Sequence, residues 1–160
     1  MAHLEPETEM VEKYLRVLST LRLRSGQEVG GRLHLQHISQ AKSVKILRSW
    51  KNDTNLQKYR LTVETCPHYF TYTAGVEGKL VNPPLGNIGD IKAIKSALKD
   101  GTIDVIASDY APIPRPRGLG FASFPSFIPL CYGLVLEKVL TPKQLKEKIH
   151  DNPLKIIQNP

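Results

Sequence analysis

"DVIASDYAPIPRPRG", residues 104–118, decides how this chain is read. Val105, Ile106 and Ala107 are apolar or small, Ser108-Asp109 follows, and the chain then breaks into a loop rich in Pro and Arg. A short continuous apolar run bounded by turn residues predicts a strand buried on both faces, as in parallel sheets. The expected strand spans Ile103 to Ala107, so Asp109 stands at its C-terminal end. That is the edge at which parallel α/β folds collect their functional side chains.

Working outward, the same alternation of helix and strand recurs. Met10, Tyr14, Val17, Leu18 and Leu21 share one face of a helix expected over Glu7 to Leu21. A strand from Leu33 to His37 follows Gly30-Gly31, and Ser39 or Gln40 opens a helix carrying Val44, Ile46, Leu47 and Trp50. Leu61 to Thr65 alternates as a further strand, Lys79 to Asn82 is extended, and Asn82-Pro83-Pro84 forms a turn. Asp90 is expected to cap a helix running to Lys99 and stopped at Asp100-Gly101. A helix from about Ser126 to Val139 follows, and Thr141-Pro142 starts another in the favoured order of cap and then proline. Strands separated by helices imply βα units around a parallel sheet, as a barrel or a doubly wound fold.

The 160 residues read as one domain, residues 1–160, of ordinary globular composition, 41% hydrophobic and 23% charged. The net charge of +7 is spread along helices. Lys92, Lys95 and Lys99 on one and Lys143, Lys146 and Lys148 on another read as solvated faces without interleaved aromatic residues, which argues against nucleic acid as a partner. No run is long and apolar enough to span a membrane. Cys66 and Cys131 show neither disulfide-framework density nor metal-type spacing, and a reducing, cytoplasmic setting is expected.

His37 closes one expected strand, His68 in "ETCPHYF" follows another, and His3 precedes the first helix. Imidazoles and a carboxylate arriving together at strand ends suit zinc, whose bound water becomes a nucleophile near neutral pH. Spacing alone leaves each histidine open to a second reading, as a hydrogen-bonding residue, and Asp109 open to capping the turn that follows it. His34 and His37, three residues apart in a strand, point to opposite faces.

Taken in order, "LHLQHIS", "VETCPHYF", "KLVNPPLG", "DGTIDVIASDYAP" and "DNPLKI" resemble the second half of a dihydroorotase, a cyclic amidohydrolase of pyrimidine biosynthesis. The resemblance runs from about His3 to Ile157. It implies the C-terminal part, about strands 5–8, of a metal-dependent (β/α)8 TIM-type barrel, and a soluble zinc enzyme interconverting N-carbamoyl-L-aspartate and dihydroorotate. By resemblance His3 and His37 match metal-ligand histidines of the fifth and sixth strands, and Asp109 matches the eighth-strand aspartate that touches the metal and moves a proton. Asn82 matches a residue holding the substrate, and His68 lies in the loop after strand six with no assigned catalytic role. The Asn before Pro-Pro leans towards dihydroorotase over the related dihydropyrimidinases and hydantoinases.

The departures from the family pattern are as specific. No His-x-His pair occurs in the sequence, and the family's fourth-strand bridging lysine or aspartate has no counterpart. Tyr110 and Ile113 stand where the family has histidines, and Gly86 stands where it has an arginine, so Arg115 or Arg117 is left to supply positive charge for the substrate carboxylate. A barrel of this type has roughly 250 residues. The expectation is therefore a partial barrel with open edges, inactive alone and covered by a separate N-terminal half or another copy of itself. Two alternatives stay open: a non-catalytic, dihydroorotase-like subunit that organises another pyrimidine-pathway enzyme, or a cyclic amidase of the dihydropyrimidinase or hydantoinase type.

Overall fold

The computed structural model describes residues 6–21, 26, 30–75, 81–112 and 120–158. Helix α1 (Glu7–Ser19) buries Val11, Leu15 and Leu18 and precedes strand β1 (Arg32–Leu35). Helix α2 (Ala41–Asn52) turns Val44 and Leu47 inward, and a short 3-10 turn (Thr54–Leu56) leads to strand β2 (Arg60–Thr65). A helix of little more than one turn, α3 (Pro67–Thr71), follows at once, with its first four residues buried. Helix α4 (Ile88–Asp100), strand β3 (Val105–Ile106) and helix α5 (Phe124–Leu136) come next. Helix α6 (Pro142–Lys146) runs through one wide, π-type turn (Glu147–Asp151) into α7 (Asn152–Gln158).

Among the described residues the strands form one parallel sheet in the order β1-β2-β3. Leu33 pairs with Leu61 and Leu35 with Val63, while Glu64 and Thr65 of β2 face Val105 and Ile106 of β3. Because the register is parallel, all three C-terminal ends emerge on one side. The core is continuous from α1 through the sheet to α4 and α5, with Leu47, Val63, Ile94, Ile103 and Cys131 fully buried.

Several expectations change in detail. The strand expected from Ile103 to Ala107 is ordered as Val105–Ile106. Its flanks are tied all the same: Asp104 N donates to Val63 O at 2.9 Å and Ala107 N to Thr65 O at 3.0 Å. Asn87, not Asp90, caps α4: its side chain accepts from Asp90 N at 3.3 Å, and Asp90 returns a bond to Asn87 N at 2.9 Å. The reciprocal capping box needs an acidic or amide residue at the third helical position, and that is where Asp90 sits. Lys148 is not on a solvated face. It is 7% exposed and donates to Ile103 O at 2.5 Å, with burial holding its ammonium below the usual lysine value. Asn152, in the "DNPLKI" segment, donates to Asp104 O at 2.9 Å, so the chain's last turns fasten the start of β3. Thr141 caps α6 as expected, with Gln144 completing the box.

Gly101 ends α4 in the left-handed conformation at φ 84°, which a side chain rarely adopts. Asp100, just before it, accepts from Thr102 N at 2.9 Å and Thr102 Oγ1 at 2.6 Å, and from Arg48 Nε of α2 at 2.9 Å. Burial opposes the ionised form, but the Thr102 hydrogen bonds and Arg48 outweigh it and hold the carboxyl below the usual aspartate range. A folded-state value below the unfolded one of about 3.9 stabilises the protein above that pH, and the contribution disappears as pH falls through the folded value. Asp100→Asn is therefore expected to lower the denaturant midpoint at pH 7 and to match the wild type near pH 2. Parallel midpoints at both pH values, offset by a constant, would show that Asp100 carries no such linkage.

Candidate functional site

The C-terminal strand ends bring together side chains that lie far apart in the sequence. His37 lies two residues beyond β1, Cys66 and His68 follow β2, and Asp109 lies three residues beyond β3. One Asp109 carboxylate oxygen, Oδ1, is 3.7 Å from His37 Nε2, and the other, Oδ2, is 3.5 Å from His68 Nε2. Cys66, His68 and Asp109 each offer one ligand atom within 4.8 Å of the others. The carboxylate thus sits between two imidazoles, with a thiol alongside.

Backbone geometry aims these groups. His37 and Asp109 both adopt positive φ, 58° and 47°. Left-handed backbone costs a non-glycine residue about 1 kcal/mol or more, and histidine and aspartate are among the types that tolerate it. The neighbouring residues hold both positions. Ile38 N donates to Glu64 O at 2.9 Å, and Thr65 Oγ1 donates to Ile38 O at 2.8 Å. On the other side Ser123 Oγ donates to Ser108 O at 2.5 Å and Ala111 N to Phe121 O at 3.1 Å.

His68 follows a further strand, as the strand pattern predicts, and differs only from the placement that the resemblance implies. It does not lie in a loop after the strand that delivers His37; it lies on α3, one strand further along the sheet. Its side chain is 1% exposed, its ring centroid is 4.2 Å from that of Tyr69, and Phe121 meets it edge-on at 6.0 Å. These contacts fix the imidazole plane opposite Asp109. Burial, then the Asp109 and Glu64 carboxylates, push the Cys66 thiol far above the ordinary thiol value, and burial pushes Cys131 up to about 12. Cys66 is a group that sequence spacing missed as a candidate. The signal available was a Cys-Pro-His run directly after an expected strand.

His34 takes other partners; the expected opposition of His34 and His37 across one strand does not hold, because β1 ends at Leu35 and both residues line the same cavity. The Nδ1 of His34 lies 2.8 Å from Thr62 Oγ1 and its Nε2 lies 3.2 Å from Glu64 Oε2. Asn82, exposed at the mouth of a cavity of about 860 Å³, shares that cavity with His37, Gln36 and, from α1, Glu7 and Tyr14. The Asn82–Pro83 peptide is cis, and Tyr69 Oη donates to Pro83 O at 3.0 Å, which ties this loop to α3. Gly86 has a local reason: a Cβ there would lie 2.5 Å from the Asp90 carboxylate, so the capping group fills the space of a residue-86 side chain. Tyr110 is half exposed and stacks edge-on with Phe124 at 6.1 Å. His3, Arg115, Ile113 and Arg117 lie outside the described residues.

Comparison with known proteins fits this geometry. No family model matches the chain. A curated dihydroorotase from Syntrophobacter fumaroxidans is 37% identical over 147 residues, covering 82% of this chain and 32% of its own length. One from Geobacter sulfurreducens is 39% identical over 138 residues, covering 78% and 32%. The chain thus spans about a third of the length of the curated relatives it matches. Among solved structures, the L-hydantoinase (dihydropyrimidinase) of Arthrobacter aurescens superimposes with a TM-score of 0.77 at 20% identity, over 95% of this chain and 35% of that one. The dihydroorotase of Saccharomyces cerevisiae, solved with 5-fluoroorotic acid, gives 0.73 at 18% identity, over 95% and 43%. Homologues under one name cover about four-fifths of the chain, and its solved structural neighbours include dihydroorotase and hydantoinase; the chain is similar in sequence to the dihydroorotases over about a third of their length and in fold to dihydroorotase and hydantoinase structures.

Proposed function

We propose that residues 1–160 form one domain corresponding to about strands 5–8 of a (β/α)8 amidohydrolase barrel, and that they carry the Asp109 side of a dihydroorotase-type site. The observation that supports this reading is the Asp109 carboxylate set between His37 and His68 at the ends of three parallel strands. Substrate is N-carbamoyl-L-aspartate in one direction and dihydroorotate in the other.

The donor set fits zinc, which accepts imidazole nitrogen and carboxylate oxygen. His37 and Asp109 would hold the ion, with His3 as the expected third protein ligand. His68 faces the second Asp109 oxygen and orients the carboxylate. Cys66 stands beside His68 and Asp109 as a buried thiol that is neutral in the metal-free protein, and this reading gives it no ligand role. A bound zinc supplies polarisation of the amide carbonyl and an acidified water. In ring opening water adds to that carbonyl, Asp109 accepts the proton from the water, the C–N bond breaks, and Asp109 returns the proton to the departing nitrogen. Ring closure is the reverse. Asn82 binds the ring from the cavity it shares with His37, and Arg115 binds the substrate carboxylate.

A second reading is supported by the substrate-side positions. Tyr110 packs on Phe124, and the space beside Gly86 is filled by Asp90, so neither offers a substrate contact of the family kind. Phe124, Ile128, Tyr132 and Leu136 recur every fourth residue on one exposed face of α5, and Tyr14 and Val17 are exposed on α1. A non-catalytic subunit of a pyrimidine-pathway assembly, or a half completed by another chain or copy, covers such faces. No described helix is long and apolar enough to cross a membrane.

Zinc content after dialysis, read by elemental analysis, checks the first reading. Wild type is expected to retain zinc; His37→Ala and Asp109→Ala are expected to weaken it about tenfold or more, and Cys66→Ser to leave it unchanged. Equal retention by all four proteins would remove the site. Turnover of dihydroorotate by the 160-residue chain is expected to be close to background, because the sequence has no His-x-His pair to complete the metal centre. Robust turnover abolished by Asp109→Ala would favour a self-sufficient enzyme and overturn the incomplete-site reading. In the native protein both thiols are expected to resist a thiol reagent until denaturant is added. Rapid native labelling of Cys66 would contradict its burial.

A further inference from the structure

The turn that carries His37 has an unusual set of partners. Three successive backbone N–H groups, those of Ser39, Gln40 and Ala41, point out of the start of α2, and α2 has no side-chain cap of its own. Each N–H is taken by a carboxylate from another helix. Glu7 of α1 accepts from Ser39 N at 3.0 Å through Oε2 and from Gln40 N at 3.2 Å through Oε1. The Ser39 hydroxyl donates to the same Oε2. Asp90 of α4 accepts from Ala41 N at 2.8 Å.

We propose that Glu7 is a positioning residue for His37, clamping the turn that holds the imidazole towards Asp109. His37 at φ 58° is held in a conformation its own chain does not favour, and the segment just after it must be fixed for the ring to stay opposite Asp109. β2 fixes Ile38 on one side; Glu7 fixes Ser39 and Gln40 on the other. Both Glu7 oxygens face donors, so the position requires two acceptors. Glutamine offers one acceptor and an NH₂ that would face a backbone N–H. Glu7→Gln, nearly identical in shape, therefore breaks the clamp almost as fully as Glu7→Ala. Thr8 supplies the control: its hydroxyl contacts Gln40 Oε1 at 3.3 Å and Ser43 Oγ at 3.4 Å, so it joins α1 to α2 without touching the Ser39 amide.

The functional part of this inference rests on the reading of His37 and Asp109 as metal ligands. The test uses the full chain, titrated with Co²⁺ and followed by its visible d–d absorption, with amide hydrogen exchange measured on the metal-free protein. Glu7→Gln is expected to weaken Co²⁺ about tenfold and to raise exchange at Ser39 and Gln40, with melting close to wild type. Thr8→Ala is expected to change neither. Unchanged Co²⁺ affinity in a folded Glu7→Gln protein overturns the positioning role. Should the wild type itself fail to bind Co²⁺, the metal-site reading fails separately. Exchange then decides the clamp: faster exchange confined to residues 38–41 supports it, and wild-type protection there rejects it.

Discussion

The C-terminal end of β2 is the joint on which the site depends. Glu64 O receives Ile38 N, Thr65 Oγ1 donates to Ile38 O, and Thr65 O receives Ala107 N. Two adjacent residues of the central strand therefore hold the segments that carry His37 and Asp109, while the chain running out of the same strand supplies Cys66 and His68. Thr65 is fully buried, so its hydroxyl is committed to this link and no water competes for it. That hydroxyl is one of two bonds by which β2 holds Ile38, beside the Ile38 N–H to Glu64 O.

The entry to β3 is built differently. There Asp104 accepts from Val63 N at 2.8 Å and from Lys51 Nζ at 2.5 Å, Lys148 reaches Ile103 O, and Asn152 reaches Asp104 O. These are charged and amide groups used as internal fasteners just before β3, on the side from which the strand enters the sheet. The arrangement sets structural side chains where β3 enters the sheet and the candidate site where it leaves. It also explains why a high positive charge need not mean a basic surface: part of it is spent inside the fold.

Much of this was legible in the sequence. The βα alternation, the parallel sheet and the arrival of His37 and Asp109 at strand ends follow from apolar runs, caps and turn residues, because those signals are local. The capping of α4 was misread by three residues, since Asn87 and Asp90 both suit an N-terminus and only their reciprocal bonds distinguish the cap from its partner. Lys148 looked solvated because its spacing is helical, and spacing does not tell which face of a late helix meets the sheet. The pairing of His68 with Asp109 was not legible at all. It depends on β2 lying between β1 and β3, which is a property of the whole sheet. The same is true of Glu7, thirty-odd residues from the amides it binds.

The start of α2 has a consequence for electrostatics. A helix N-terminus carries a partial positive charge from its aligned peptide dipoles and is a ready place for an anion to dock. Here Glu7 and Asp90 already occupy it from within the protein. An anionic ligand entering the neighbouring cavity meets a helix end whose field is cancelled, and two fixed negative groups behind it. Attraction for such a ligand must then come from elsewhere, from a bound cation or from basic side chains outside the described residues. The charge that the start of α2 could offer a ligand is thus already met from inside the fold.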